Sequence, residues 1–149
     1  MITTEQIKEL RNKTSVSIAE CKKALEEAGG DMTQALEVLK KRGAEIASKK
    51  SDRDLNAGAI SAYIHAGGQI GVLVQLQSET DFVSQNQEFK DLGNDLAMHI
   101  AACVPVDTTE LLTQPFIKNP SQTVDELIKE KIQKFGERIE ISGFTRLSL

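Results

Sequence analysis

The sequence predicts an α+β protein: a three-helix N-terminal module, a polar linker, and a small antiparallel sheet packed with helices. Three patterns carry this prediction. Over residues 3–42, apolar side chains recur at helical spacing between cap residues and glycines. Over 59–77, two β-rich runs flank a glycine turn. Over 85–103, one apolar stripe continues through a long helix.

Thr3 or Thr4 can cap a first helix that carries Ile7 and Leu10 on one face. Ser17 with Glu20 three residues later has the capping-box pattern. It opens a second helix with Ile18, Cys21, Leu25 and Ala28 inward, and Gly29-Gly30 stops it. Asp31 caps a third helix with Met32, Ala35, Leu36 and Leu39 inward, which Gly43 is expected to end. Residues 1–43 thus form a bundle with little core of its own, one that leans on a partner or on the main body. Residues 44–56 mix charges without apolar periodicity and read as the linker, with a partly helical course left open.

The body, residues 57–149, begins with a hairpin. Ala59–His65 and Ile70–Gln77 are the strands, and 66–69 supply the turn. Val72, Val74 and Leu76 face one side, Leu73 and Gln75 the other. Phe89, Leu92, Leu96, Ile100 and Cys103 form the stripe of the long helix, and Pro105 ends it. Residues 106–122 read as a connection holding Leu111, Leu112, Phe116 and Ile117. A second helix over 123–135 turns Val124, Leu127, Ile128 and Ile132 inward, and the segment from Ile139 to Leu149 adds a last strand to the hairpin.

The formal net charge is −4, unevenly spread: residues 1–50 hold 10 Lys/Arg against 8 Asp/Glu, residues 51–149 hold 8 against 14. An acidic body argues against nucleic acid as a direct partner, because phosphate contacts need clustered cations. Lys40-Lys41-Arg42 and Lys49-Lys50 read as solvated helix ends. No apolar run is long enough to span a membrane, and the first residues lack the pattern of a signal peptide, so the chain is expected to stay where it is made. Cys21 and Cys103 fit reduced thiols in a cytosol-like setting.

Catalytic patterns are missing. The sequence has no phosphate-cradling glycine loop and no His-Glu-x-x-His, and His65 and His99 lack neighbours at ligand spacing. No catalytic residue, metal or cofactor is expected. Glu79-Thr80-Asp81-Phe82-Val83 is more informative. On one reading Thr80 or Asp81 caps the next helix while Phe82 and Val83 staple it to the sheet. On the other, Phe82 is displayed as a rigid anchor for a partner, beside a carboxylate able to disturb a metal ion's surroundings.

An ordered set of motifs resembles the elongation factor Ts family. Thr14, Cys21-Lys22-Lys23-Ala24-Leu25, Gly30-Asp31 and Gly43-Ala44 are similar to its N-terminal domain. Ile70-Gly71-Val72-Leu73-Val74, Thr80-Asp81-Phe82-Val83 and Met98-His99-Ile100-Ala101-Ala102 with Pro105 resemble its core. Gln114-Pro115-Phe116, Lys129-Glu130 and Gly143-Phe144-Thr145-Arg146 resemble its C-terminal portion. The resemblance implies a ubiquitin-associated-type (UBA-like) bundle, no catalysis, and a guanine-nucleotide exchange function on elongation factor Tu in protein biosynthesis. Thr80, Asp81, Phe82 and Val83 would reach the region of the nucleotide's Mg²⁺. Ser17, Ile18 and Ala19 would contact the G domain, and the segment around His99 would help form the core surface.

Relative to the family pattern, Ile18-Ala19 replaces a bulkier pair, and the chain is short, most plainly around 106–122. A homodimer is left open. A bacterial cytoplasm is the default location, with a plastid or other organelle also open. Two rival readings are weaker. A peptide- or ubiquitin-binding adaptor leaves the body unexplained, and an acyl-transfer or hydrolase enzyme lacks its apparatus.

Overall fold

The computed structural model describes residues 1–149 and divides them into two compact units. One comprises Met1–Ser51 with Lys129–Gly136, the other Asp52–Ile128 with Glu137–Leu149.

In the first unit, α1 (Thr4–Thr14), α2 (Ile18–Glu27) and α3 (Met32–Lys49) form the bundle. Thr3 caps α1 in a reciprocal box with Gln6. Ser17 Oγ accepts the Glu20 N–H, but Glu20 does not complete the expected box. Its carboxylate is held instead by Lys23 and by Arg42 of α3. Gly29 and Gly30 both have positive φ, and the Gly30 N–H closes on the Leu25 carbonyl at 2.8 Å. Leu10, Val16, Cys21, Leu25, Ala35 and Leu39 make the core.

Two expectations fail here. Gly43 does not end the third helix, which runs on to Lys49 through the first part of the expected linker. This glycine lies in packing, not at a stop: a Cβ there would stand 3.2 Å from Gln133 Oε1. Arg42 is not a solvated helix end either. It bridges Glu20 at 3.0 Å and Glu27 at 2.7 Å, tying α3 to both ends of α2.

In the second unit, β1 (Ala57–His65) and β2 (Ile70–Ser78) pair antiparallel, and β5 (Ile139–Ser148) pairs with the other edge of β2. Register runs from His65↔Ile70 to Ala57↔Ser78 in the hairpin, and from Ile70↔Ser148 to Ser78↔Ile139 across β2 and β5. Val72, Val74 and Leu76 of β2 are buried against α5 (Gln87–Cys103), whose Phe89, Leu92, Leu96 and Ile100 form the facing stripe. Contact is closest at Gly93, where an added Cβ would overlap Ser61 Oγ of β1. The opposite face of the sheet exposes Ile60, Ile64, Leu73 and Leu147.

A one-turn helix, α4 (Asp81–Ser84), precedes α5. The connection after α5 holds more structure than its sequence predicts: α6 (Thr108–Thr113) and a small hairpin of β3 (Pro115–Phe116) and β4 (Asn119–Thr123). Leu111 and Phe116 are buried there. Thr123 and Glu126 form a reciprocal box at the start of α7 (Val124–Phe135), with Val124, Leu127, Ile128 and Ile132 buried as expected. No helix is long and apolar enough to cross a membrane.

Candidate partner-binding surfaces

β2 ends at Ser78, and the chain turns at once into α4. Successive positions on a helix point about 100° apart, so neighbours in one turn can have opposite fates. Val83 goes inward and is 7% exposed, while Phe82 is 92% exposed. Both readings of this segment are thus partly realised: Val83 staples the turn to the body and Phe82 is displayed. Asp81, next to it, is exposed; its carbonyl accepts the Gln85 N–H at 2.9 Å, but its carboxylate makes no hydrogen bond or ion pair within the chain. A bare carboxylate therefore stands beside a bare aromatic ring.

Thr80 is the N-cap of α4, yet its side chain does not cap. Its Oγ donates to Glu137 Oε2 at 2.6 Å, and its N–H donates to Oε1 of the same carboxylate at 3.0 Å. The Thr80 carbonyl accepts the Ser78 hydroxyl at 3.0 Å and the Ser84 N–H at 3.2 Å. Glu79 accepts the Arg138 N–H at 2.6 Å and the Arg53 guanidinium at 3.3 Å. Glu137, Arg138 and Arg53 were not among the residues the sequence singled out. Nothing local marks them, because they lie 26 to 59 positions from their partners.

Ser17, Ile18 and Ala19 open α2 in the other unit, and all three are exposed. Ile18, expected inward, is 57% exposed. Helical side chains lean toward the N-terminus, so a first-turn residue projects past the helix end and misses the neighbours that cover Cys21 and Leu25.

His99 is wholly buried in α5 and offers no side chain to a partner surface. Its Nδ1 accepts the Ile117 N–H at 3.1 Å, which leaves the proton on Nε2, donated to Gln114 Oε1 at 2.9 Å. The ring also packs on Phe116, with centroids 5.9 Å apart. His99 therefore holds the 114–117 segment against α5 from beneath. Cys103 Sγ is 3.8 Å from His99 Nδ1, but that nitrogen already accepts a hydrogen bond from the Ile117 N–H and burial pushes the thiol up from its ordinary value. The pair lacks the arrangement of an activated nucleophile. No group of three or more His, Cys, Asp or Glu side chains is placed to hold a metal ion.

Comparison with known proteins adds sequence relationship to this geometry. A family model described as "Elongation factor TS" matches residues 79–149, which begin at the α4 turn and end with β5. An elongation factor Ts of Carboxydothermus hydrogenoformans is 40% identical over 194 residues, covering 100% of this chain and 89% of the relative. One of Alkaliphilus oremlandii is 42% identical over 190 residues, covering 97% and 88%. The first alignment spans 194 positions against a chain of 149, so about 45 positions of that relative face gaps.

Proposed function

The chain belongs to the elongation factor Ts family of translation elongation factors, and on that premise we propose that it is a guanine-nucleotide exchange factor for elongation factor Tu, acting by binding and not by chemistry of its own. It engages elongation factor Tu carrying GDP, disturbs the Mg²⁺ and nucleotide site with Asp81 and Phe82, and lets GDP leave so that GTP can enter. The observation that carries this reading is the ring of Phe82, 92% exposed, beside the unpaired carboxylate of Asp81 on a turn tied to the sheet.

Mg²⁺ holds near-ideal octahedral geometry and tolerates little displacement of its ligands. A rigid aromatic wedge with a neighbouring anion shifts those ligands, and linkage makes the effect reciprocal: bound nucleotide weakens the factor as much as the factor weakens nucleotide. Nanomolar nucleotide affinity is about 12 kcal/mol, whereas one interface anchor supplies about 2–4 kcal/mol. A second contact must therefore hold the complex while GDP departs. Exposed Ile18, with Ser17 and Ala19, supplies it on the G domain. Thr80 and Val83 contribute mainly by holding the wedge, and His99 by supporting the surface around 114–117.

A homodimer belongs to the same reading. Ile60, Ile64, Leu73 and Leu147 leave the outer sheet face apolar and uncovered, and a second copy is the occupant we assign to it. Sedimentation should show a dimer that Leu73→Glu converts to monomer; a wild-type monomer at all concentrations removes this part of the reading. The location proposed is a bacterial cytoplasm.

The decisive experiment is release of a fluorescent GDP analogue from elongation factor Tu, with wild type, Asp81→Ala and Phe82→Ala. Fast release that drops in both variants supports the wedge. No acceleration by folded wild type with a matched elongation factor Tu overturns the exchange reading and brings the adaptor reading forward.

A further inference from the structure

A four-residue helix cannot hold itself: one turn fixes several dihedrals for little hydrogen bonding. α4 also lacks the side-chain cap that its Thr80 could have supplied. Its position must come from elsewhere, and two carboxylates supply it. The last backbone pair between β2 and β5 is Ser78↔Ile139. Beyond it the strands separate, and side chains take over the acceptor role. The Thr80 N–H and hydroxyl donate to Glu137, and the Arg138 N–H donates to Glu79. The pairs 79/80 and 137/138 are thus tied in both directions, each tie a short bond to a carboxylate, stronger than its neutral counterpart. The Arg138 guanidinium fastens the same corner to the Arg53 carbonyl at 2.7 Å and to Glu140 at 3.0 Å.

We propose that Glu137 is a positioning residue for nucleotide exchange: its carboxylate extends the β2–β5 ladder into Thr80 and so sets where Phe82 and Asp81 point. This inference deepens the exchange reading and rests on it for its kinetic consequences. Glu137 touches neither nucleotide nor metal in this scheme; it acts through Thr80. Thr80 accordingly changes role, from a partner contact to the link between clamp and wedge.

The test is a set of variants in the same GDP-release assay, read as maximal rate and half-saturating concentration. Glu137→Ala should lower the maximal rate by about five- to tenfold, on the scale of one solvent-exposed hydrogen bond, with half-saturation moving less than about twofold. Glu137→Gln retains an oxygen for the Thr80 N–H and should recover most of that loss. On a Phe82→Ala background, Glu137→Ala should cost less than about twofold, because the group it aims is gone. Equal losses on both backgrounds, or a wild-type rate for Glu137→Ala, overturn the proposal.

Amide hydrogen exchange gives a second readout that needs no partner. Glu137→Ala should speed exchange at Thr80, Ser84 and Gln85 by at least about tenfold while α5 keeps its protection. Unchanged exchange at those amides overturns the clamp itself. Wild type that fails to release GDP, together with accelerated amide exchange in Glu137→Ala, would instead sink the exchange reading and leave the clamp standing.

Discussion

Ile18 and Phe82 are both exposed apolar residues in the first turn of a helix, yet they are held in different ways. Ile18 begins a ten-residue helix, capped by its neighbour Ser17 and anchored by Cys21, Ala24 and Leu25 in the core. Everything that places it lies within one element and the two helices packed on it. Phe82 is the second residue of a four-residue helix whose cap hydroxyl is engaged by Glu137, 57 positions away. The first surface is a by-product of a regular helix end; the second is an irregular turn fixed from outside. A displayed side chain on a long helix can provide grip. One on a clamped turn can provide direction as well, and displacing metal ligands requires direction.

The largest expected effect sits on the clamped side. Phe82→Ala should cut the maximal rate of GDP release by about 30-fold or more, as loss of a central interface anchor of about 2 kcal/mol implies. Its melting temperature should stay within about 2 °C of wild type, because an exposed ring contributes little to folding. A large drop in melting temperature would mean that the ring packs inside the protein. Ile18→Ala should have a smaller effect of another kind, raising the half-saturating concentration about three- to tenfold with the maximal rate unchanged. If both variants altered the same parameter, the division into grip and direction would be lost. The smallest effect is expected at Gly43→Ala, which should change stability by between about 0 and +1 kcal/mol. Alanine gains helix propensity there and asks only Gln133 to give slightly. Clear destabilisation in urea would mean that Gln133 cannot give way to the added methyl.

The same contrast explains what could be read from the residues. Helices α1 to α3 and α5 declare themselves because Leu10, Cys21, Leu25, Phe89 and Leu96 repeat at a local period. The faces of β2 follow from alternation of Val72, Val74 and Leu76. The resemblance to the family likewise rested on short motifs in order. Features set by distant partners were not legible. Gly43 looks like a stop until Gln133 is seen beside it, and Arg42 looks like a solvated end until Glu20 and Glu27 are found on it. The two-residue strand β3 is too short to show a period, so it and its partner β4 vanish into a connection. His99 stands beside the apolar stripe, next to Leu96 and Ile100, but its partners Gln114 and Ile117 lie in that same connection and leave no local signal. The displayed turn is half legible: Phe82 stands out as an apolar residue the turn does not require, whereas its clamp cannot be seen.

The distance between Thr80 and Glu137 also has a consequence for how the molecule is made. Chains leave the ribosome N-terminus first and fold progressively. The hairpin of β1 and β2 and the turn after it emerge well before β5, which brings Glu137 and Arg138. Until that strand docks, Thr80 lacks the Glu137 carboxylate, Glu79 lacks the Arg138 N–H, and Phe82 rides on a loose loop. A nascent or clipped chain that already carries the Thr80–Val83 motif thus lacks its working posture. The long-range tie serves as a check on completeness, and only a finished sheet fixes the turn that displays Phe82.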